Sequence, residues 1–293
     1  MPVTPYCKDL FQSRRDLHQF LLACKQSSIE KNRSQIISIS LEIESIDPLV
    51  IYHQLAEPNQ LSFYFEKREL QPEVHLYNGE KHNGEKPLNK PSELIGIAAI
   101  GSVLHTSLGG SDRFIAAQHF IQNTLASTLT VGEVNRPLAG PHFFCGFTFF
   151  DDASHQSSAF SGGLIFLPAW QISYHKDSCI VVANLVIDGS SILETIGDKL
   201  WKTFQAISST NYGLLNPGVD NRHFLNIQDV THTRHFKQAV NSALRSIHSG
   251  ILNKIVLAHA IDIFSPLPFH PVYSLHNLRN LYPDCHIFAL SNG

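Results

Sequence analysis

The sequence predicts an α+β protein of mixed strands and helices. Three observations lead there. Some segments alternate apolar and polar residues with the period of a strand, as in Ile37, Ile39, Leu41 and Ile43 set against Ser38, Ser40 and Glu42. Others repeat at helical spacing, as in Leu17, Phe20, Leu21 and Cys24. The chain has 293 residues, 43% of them apolar and 16% charged, enough to bury a substantial core under a modestly charged surface.

After a polar lead-in, a helix is expected over residues 17–24 and a strand over residues 37–43. Asp47-Pro48 opens a short helix, with Asp as cap and Pro at the first position. Leu61 to Glu66 reads as a strand whose Glu66 is an edge or solvent-facing carboxylate. Asn78-Gly-Glu-Lys81 and Asn83-Gly-Glu-Lys86 repeat one tetrapeptide, and Asn-Gly steps in polar surroundings predict a surface loop over residues 78–91. Leu94 to Gly101 is a strand whose Gly96, Ala98 and Ala99 allow close packing against another layer; without GxGxxG or a Gly-Lys-Ser/Thr ending it is not a phosphate loop. Ser111-Asp112 caps a helix with Phe114, Ala117, Phe120, Ile121 and Leu125 on its apolar side.

Residues 137–146 form a turn-rich approach to a strand at residues 147–150. The aromatics Phe143, Phe144, Phe147, Phe149 and Phe150 are read as core packing. Asp151 and Asp152 are neighbours that point apart on a strand, so they cap its end rather than share an ion. Cys179 to Asp188 is nearly continuous apolar and predicts a buried strand. Ser190-Ser191 begins a helix bearing Ile192, Leu193, Ile196, Leu200 and Phe204, and residues 207–229 form a connecting loop. A helix then runs from about Thr233 to His248.

Composition narrows the function classes. The formal net charge of −3 leaves no basic footprint for nucleic acid, and no apolar run is long enough to span a membrane. Cys7, Cys24, Cys145, Cys179 and Cys285 are odd in number, scattered and without a CxxC pair. They read as reduced thiols in a cytoplasmic protein rather than a disulfide or zinc framework. Of 17 histidines, His232 and His235 are three apart and could face one side of a helix, but a third ligand at a defined spacing is missing. No Gly-x-Ser-x-Gly elbow supports a serine nucleophile.

Residues 250–264 concentrate the chemistry. Gly250 stops the helix and a long strand follows, with Ile255, Leu257, His259, Ile261 and Ile263 on one face. Lys254, Val256, Ala258, Ala260 and Asp262 lie on the other. The small alanines beside Lys254 leave space above the sheet. A buried ammonium is costly, and burial makes the neutral amine available as a base. On pattern alone the better reading is a solvated lysine at a strand end.

A resemblance gives Lys254 a sharper meaning. Phe236, Val240, Ala243, Leu244, Ile247 and Gly250, followed by Lys254-Ile-Val-Leu-Ala258, resemble the signature of the chorismate-utilising enzymes. A helix from Pro271 to Leu281, then Tyr282-Pro283 and the strand Cys285-His-Ile-Phe288, follow in the family's order. Phe63-Tyr64-Phe65-Glu66 and Phe160 to Trp170 are similar to its earlier segments. His259 departs from the pattern, standing where the family usually has Arg. The resemblance implies an anthranilate synthase component I-like fold of layered antiparallel sheets with flanking helices, with residues 1–229 as its N-terminal region and 230–293 as the start of the chorismate-binding catalytic domain.

It also implies an activity. Ammonia-using branches usually carry Gln at the opening position of this strand, whereas water-adding branches carry Lys. Lys254 therefore points to isochorismate synthase or the related salicylate synthase. The absence of a Leu-Leu-Glu-Ser type motif disfavours anthranilate synthase. Chorismate would be the substrate and Lys254 the general base that takes a proton from water. A glutamate would protonate the leaving hydroxyl and others would hold Mg2+. Those ligands are expected beyond Gly293, with no metal ligand or cofactor-binding residue in residues 1–293. The chain is therefore expected to be truncated and inactive alone. A binding module made from the same fold, or an unrelated α+β protein with an incidental Lys254, are the alternatives. A monomer is favoured.

Overall fold

A computed structural model describes residues 13–69, 93–150, 162–176, 178–210, 226–229, 233–265 and 269–292. The tandem tetrapeptide, Asp151, Asp152 and His232 lie outside the described residues. The chain divides into two compact units, residues 1–215 with 272–293, and residues 216–271.

The first unit contains α1 (Arg14–Glu30), β1 (Gln35–Ile43), α2 (Pro48–Leu55), β2 (Leu61–Glu69), β3 (Glu93–Ile100), β4 (Leu104–Leu108) and α3 (Arg113–Ser127). It continues with β5 (Thr128–Gly132), β6 (Phe144–Phe147), β7 (Gly163–Leu167), β8 (Trp170–His175), β9 (Ser178–Ile187) and α4 (Leu193–Ser208). The second unit holds β10 (Asn226–Asp229), α5 (Thr233–His248) and β11 (Ile261–Phe264). The chain then returns to the first unit with α6 (Pro271–Leu281) and β12 (Ile287–Asn292).

A seven-stranded sheet in the order β12-β2-β3-β8-β9-β1-β5 forms the frame. All its neighbours are antiparallel except β1 and β5. A three-stranded sheet, β4-β7-β6, forms a second layer. The expected alternation in β1 holds: Ile37 and Ile39 join Val181, Leu185 and Ile172 in a core closed by Leu17 and Leu21 of α1, Leu49 of α2, Leu200 of α4 and Leu275 of α6. Each such side chain stabilises the fold by about 1.5–3 kcal/mol when fully buried. The α2 start is as expected: Asp47 accepts from the Leu49 amide at 2.9 Å, with Pro48 in the first turn. Pro48 lies over Gly96, where an added Cβ would approach its Cγ to 3.2 Å.

The other face of the sheet buries polar side chains among its apolar ones, since Ser38, Ser40, Gln171, Ser173 and Asn184 are all inaccessible beside Ile180 and Val182. The turn-rich segment after β5 covers part of it. Gly140 donates to Ser40 Oγ at 2.9 Å, and Gln171 Nε2 donates to the Leu138 carbonyl at 3.1 Å. The aromatic run divides: Phe144 packs on Phe63 and Phe166, whereas Phe149 and Phe150 are exposed.

Several elements differ from expectation. The strand expected at residues 147–150 is β6, three residues earlier, because its pairing with β7 runs from Phe144↔Phe166 to Phe147↔Gly163. The buried side of α3 is Arg113, Ala117 and Thr124, and Phe114 is exposed. Ser190 and Ser191 do not cap α4, because both hydroxyls donate to Asp188 in the preceding turn. Within the expected loop at 207–229, β10 forms by pairing with β11.

Burial also sets the thiols. Cys24 and Cys179 are buried, and desolvation pushes each up to about 11 from the ordinary value of 9.0. A group whose pKa is raised by folding contributes stability that is present below its unfolded value and is lost as pH rises through the folded value. The urea midpoint is therefore expected to fall between pH 9 and about 11, and to fall less in a Cys24→Val/Cys179→Val variant. A midpoint equally pH-dependent in both proteins would contradict this.

Candidate functional site

In the second unit, α5 forms where expected and Gly250 ends it with a positive φ of 75°. The Ile251 amide donates back to Ser246 at 3.1 Å, satisfying a terminal carbonyl. The strand expected from Lys254 to Phe264 is present only as β11, Ile261–Phe264. Residues 251–260 form no strand, and Lys254 is exposed. The enclosed amine expected at a strand opening is therefore not formed in this arrangement. A strand exists only where a neighbour completes its ladder, and among the described residues β11 pairs only with β10, from Asn226↔Phe264 to Asp229↔Ile261. His259 stacks on Phe236, with ring centroids 4.8 Å apart.

A different set of charged residues is assembled in the first unit. Glu66 is 3% exposed, contrary to the expected solvent-facing carboxylate. The cause is topological: β2 is not an edge strand, because β12 pairs on one side of it and β3 on the other. Glu66 accepts from Arg68 Nε at 2.5 Å, from an Arg279 terminal nitrogen at 3.1 Å and from the Tyr64 hydroxyl. Arg279 projects from α6 and also forks onto Asp47, at 2.7 and 3.1 Å. One guanidinium thus joins β2, the cap of α2 and α6.

Electrostatics suit a fixed ion network. Burial opposes the charge on Arg279, but the hydrogen bonds and charges of Asp47 and Glu66 outweigh it and raise the guanidinium's pKa. Burial and the Glu66 charge raise the Tyr64 hydroxyl's, so it remains a donor. His276 Nδ1 lies 3.1 Å from Arg279, which can only donate, so Nδ1 accepts. Burial and Arg279 lower the imidazole's pKa in the same sense. With three donors on Glu66, this arrangement holds elements together rather than presenting a carboxyl to a substrate.

Sequence reasoning passed over Arg279, yet a signal was available. Val272, Leu275 and Arg279 share one helical stripe and all three are buried. An arginine on such a stripe requires a buried acceptor. The implied magnesium finds no donor set: among the described residues no group of three His, Cys, Asp or Glu side chains could hold a metal ion. Among them, too, no helix is long and apolar enough to cross a membrane.

A large antiparallel sheet, helices on its apolar face and a return helix pinned by a buried guanidinium define an α+β scaffold of the type expected from the sequence. The chain belongs to the chorismate-binding enzymes, whose family model matches residues 19–293. No curated protein sequence matches it. Its fold is similar to that of MenF, the menaquinone-specific isochorismate synthase from Escherichia coli, with a TM-score of 0.52 and 16% identity. The match covers 92% of this chain and 53% of that one, so the chain spans about half the length of the solved structure.

Proposed function

We propose that this chain serves an isochorismate synthase, with Lys254 as the residue that takes a proton from water. The observation carrying the reading is the family match over residues 19–293, which includes the lysine typical of the water-adding branches. In the proposed reaction water adds at one ring carbon of chorismate, a hydroxyl leaves another and the double bonds shift, so that water enters and water departs. Lys254 would hold the proton removed from the entering water. For that the amine needs enclosure by polypeptide other than residues 251–265, which leave it open. No step is assigned to a metal, since the described residues offer no donor set.

The test is chromatographic analysis of chorismate and Mg2+ incubated with the protein in the longest form its gene encodes. Isochorismate is the expected product, and salicylate with pyruvate would reassign the reaction to the salicylate branch. Lys254→Ala and Lys254→Gln are each expected to lower kcat about a hundredfold or more, the ordinary contribution of a general base. Full activity in either variant would remove Lys254 from the mechanism. The 293-residue chain alone is expected to form no isochorismate.

The exposure of Lys254 favours a second reading, a binding module of the same fold without catalysis. It predicts calorimetric binding of chorismate with no product in the longest form as well.

A further inference from the structure

One of the groups that hold α6 can change its charge near neutrality. Arg279 commits its terminal nitrogens to Asp47, Glu66 and His276, and among the described residues its buried Nε finds no acceptor. The guanidinium therefore has no acceptor to spare. Asp47 and Glu66 accept as carboxylates. His276 accepts only while its Nδ1 carries no proton, and imidazole is the side chain that ordinarily titrates between about pH 5 and 8. Once protonated, Nδ1 would turn a hydrogen toward a guanidinium nitrogen 3.1 Å away and set one cation against another.

The charges around His276 come from α6, α2 and β2. Arg279 lies one turn further along α6, Asp47 caps α2, and Glu66 and Arg68 belong to β2. The Tyr64 hydroxyl reaches the same cluster through Glu66. Asp47 and Glu66 favour the imidazolium, whereas burial, Arg279 and Arg68 oppose it. The opposition prevails and holds the imidazole below its ordinary 6.5. A value depressed by folding contributes stability that is present above the ordinary value and is lost as pH falls through the folded one. His276 is half-buried, so its ring can turn toward solvent once charged. His53 of α2 is another imidazole at this joint. It is exposed and stacks on Tyr273, one turn before His276, with ring centroids 5.9 Å apart. A stack on tyrosine tolerates either charge state.

We propose that His276 is an acid-sensitive latch: its protonation takes an acceptor from Arg279 and loosens α6 from the corner of β2 and α2, while the large sheet stays folded. α6 is where the chain returns from residues 216–271 to the first unit. Val272 and Leu275 anchor its first turns in the core, and Arg279 anchors its last. Opening therefore begins at the turn that leads into β12, as a local event below the cost of global unfolding. The latch is independent of the chemistry proposed for Lys254.

The test is amide hydrogen exchange and proton NMR on the full 293-residue chain, from about pH 7.5 to about pH 5.5. After correction for intrinsic exchange, the protection of the α6 amides is expected to fall by about threefold or more across that range. The midpoint should coincide with the titration of the His276 ring protons, and β1 and β9 should keep their protection. His276→Gln has an amide oxygen that accepts at either pH, so it should remove the response and leave α6 protected under acid. His53→Phe keeps a ring against Tyr273 and should leave the response intact. Unchanged protection of α6, an equal loss in β1 and β9, a response that survives in His276→Gln, or one that disappears in His53→Phe would each overturn the proposal.

Discussion

Replacing Arg279 with methionine is expected to destabilise the first unit by about 3–5 kcal/mol, the usual cost of removing one partner from a buried ion pair. Asp47 would lose both arms of the fork and Glu66 one of its three donors. The side chains of Arg279 and Glu66 are 9% and 4% exposed, so little solvent can replace what is lost. Arg68 and Tyr64 remain on Glu66, which places the expected cost toward the lower end of the range. Arg279→Lys keeps the charge but not the planar fork and should fall between wild type and Arg279→Met. In a double-variant cycle, Arg279→Met with Glu66→Gln should be less destabilised than the sum of the single changes by about 1–3 kcal/mol. Urea unfolding measures the wild type and all four variants. A cost below about 1 kcal/mol for Arg279→Met would mean that the network does not tie α6 to the sheet.

The sequence marked local structure well where one residue type leaves little choice. Asp47-Pro48 starts a helix because the carboxylate satisfies an amide and proline tolerates the first turn. Gly250 ends α5 because its positive φ suits a residue without Cβ. Leu17, Leu21 and Cys24 are the buried stripe of α1, as their spacing implies. What escaped was set by distant partners. Ser38 and Ser40 share a polar face that looks solvent-bound until Gly140 and its neighbours cover it. Glu66 looks like an edge carboxylate until β12, more than two hundred residues later, pairs beside it. Asn226–Asp229 carries too weak a pattern to announce a strand, and pairing with β11 makes one.

The segment at Lys254 is the opposite case. Its alternation is clear in the sequence, yet residues 251–260 stay outside any ladder. A pattern specifies which face a strand would bury, but a strand forms only where another strand answers its backbone groups. The same dependence explains why the family signature was legible while the candidate site around Lys254 was not. The signature is a property of spacing within one stretch, and an enclosed amine is a property of several stretches together.

Gly132→Ala should be the most damaging single methyl in the described structure, costing about 2–5 kcal/mol. Gly132 has a φ of +87° and faces Ser40 across the one parallel pairing of the large sheet. Holding a residue with a Cβ there costs about 1–2 kcal/mol of backbone strain. The larger part is collision, since an added Cβ would lie 2.0 Å from the Ser40 carbonyl oxygen. That oxygen also accepts from the Glu133 amide at 2.8 Å, so it cannot move aside without breaking the contact that turns the chain away from β5. Overpacking of this kind typically adds about 1–3 kcal/mol. Gly110→Ala separates the two contributions. Gly110 has a φ of +78° but nothing within 4 Å of an added Cβ, so it should show the strain alone. Urea unfolding of the two variants is expected to place Gly132→Ala at least about 1 kcal/mol below Gly110→Ala. Equal costs would show that β5 can retreat from β1 without penalty, and that the parallel pairing does not lock that end of the sheet.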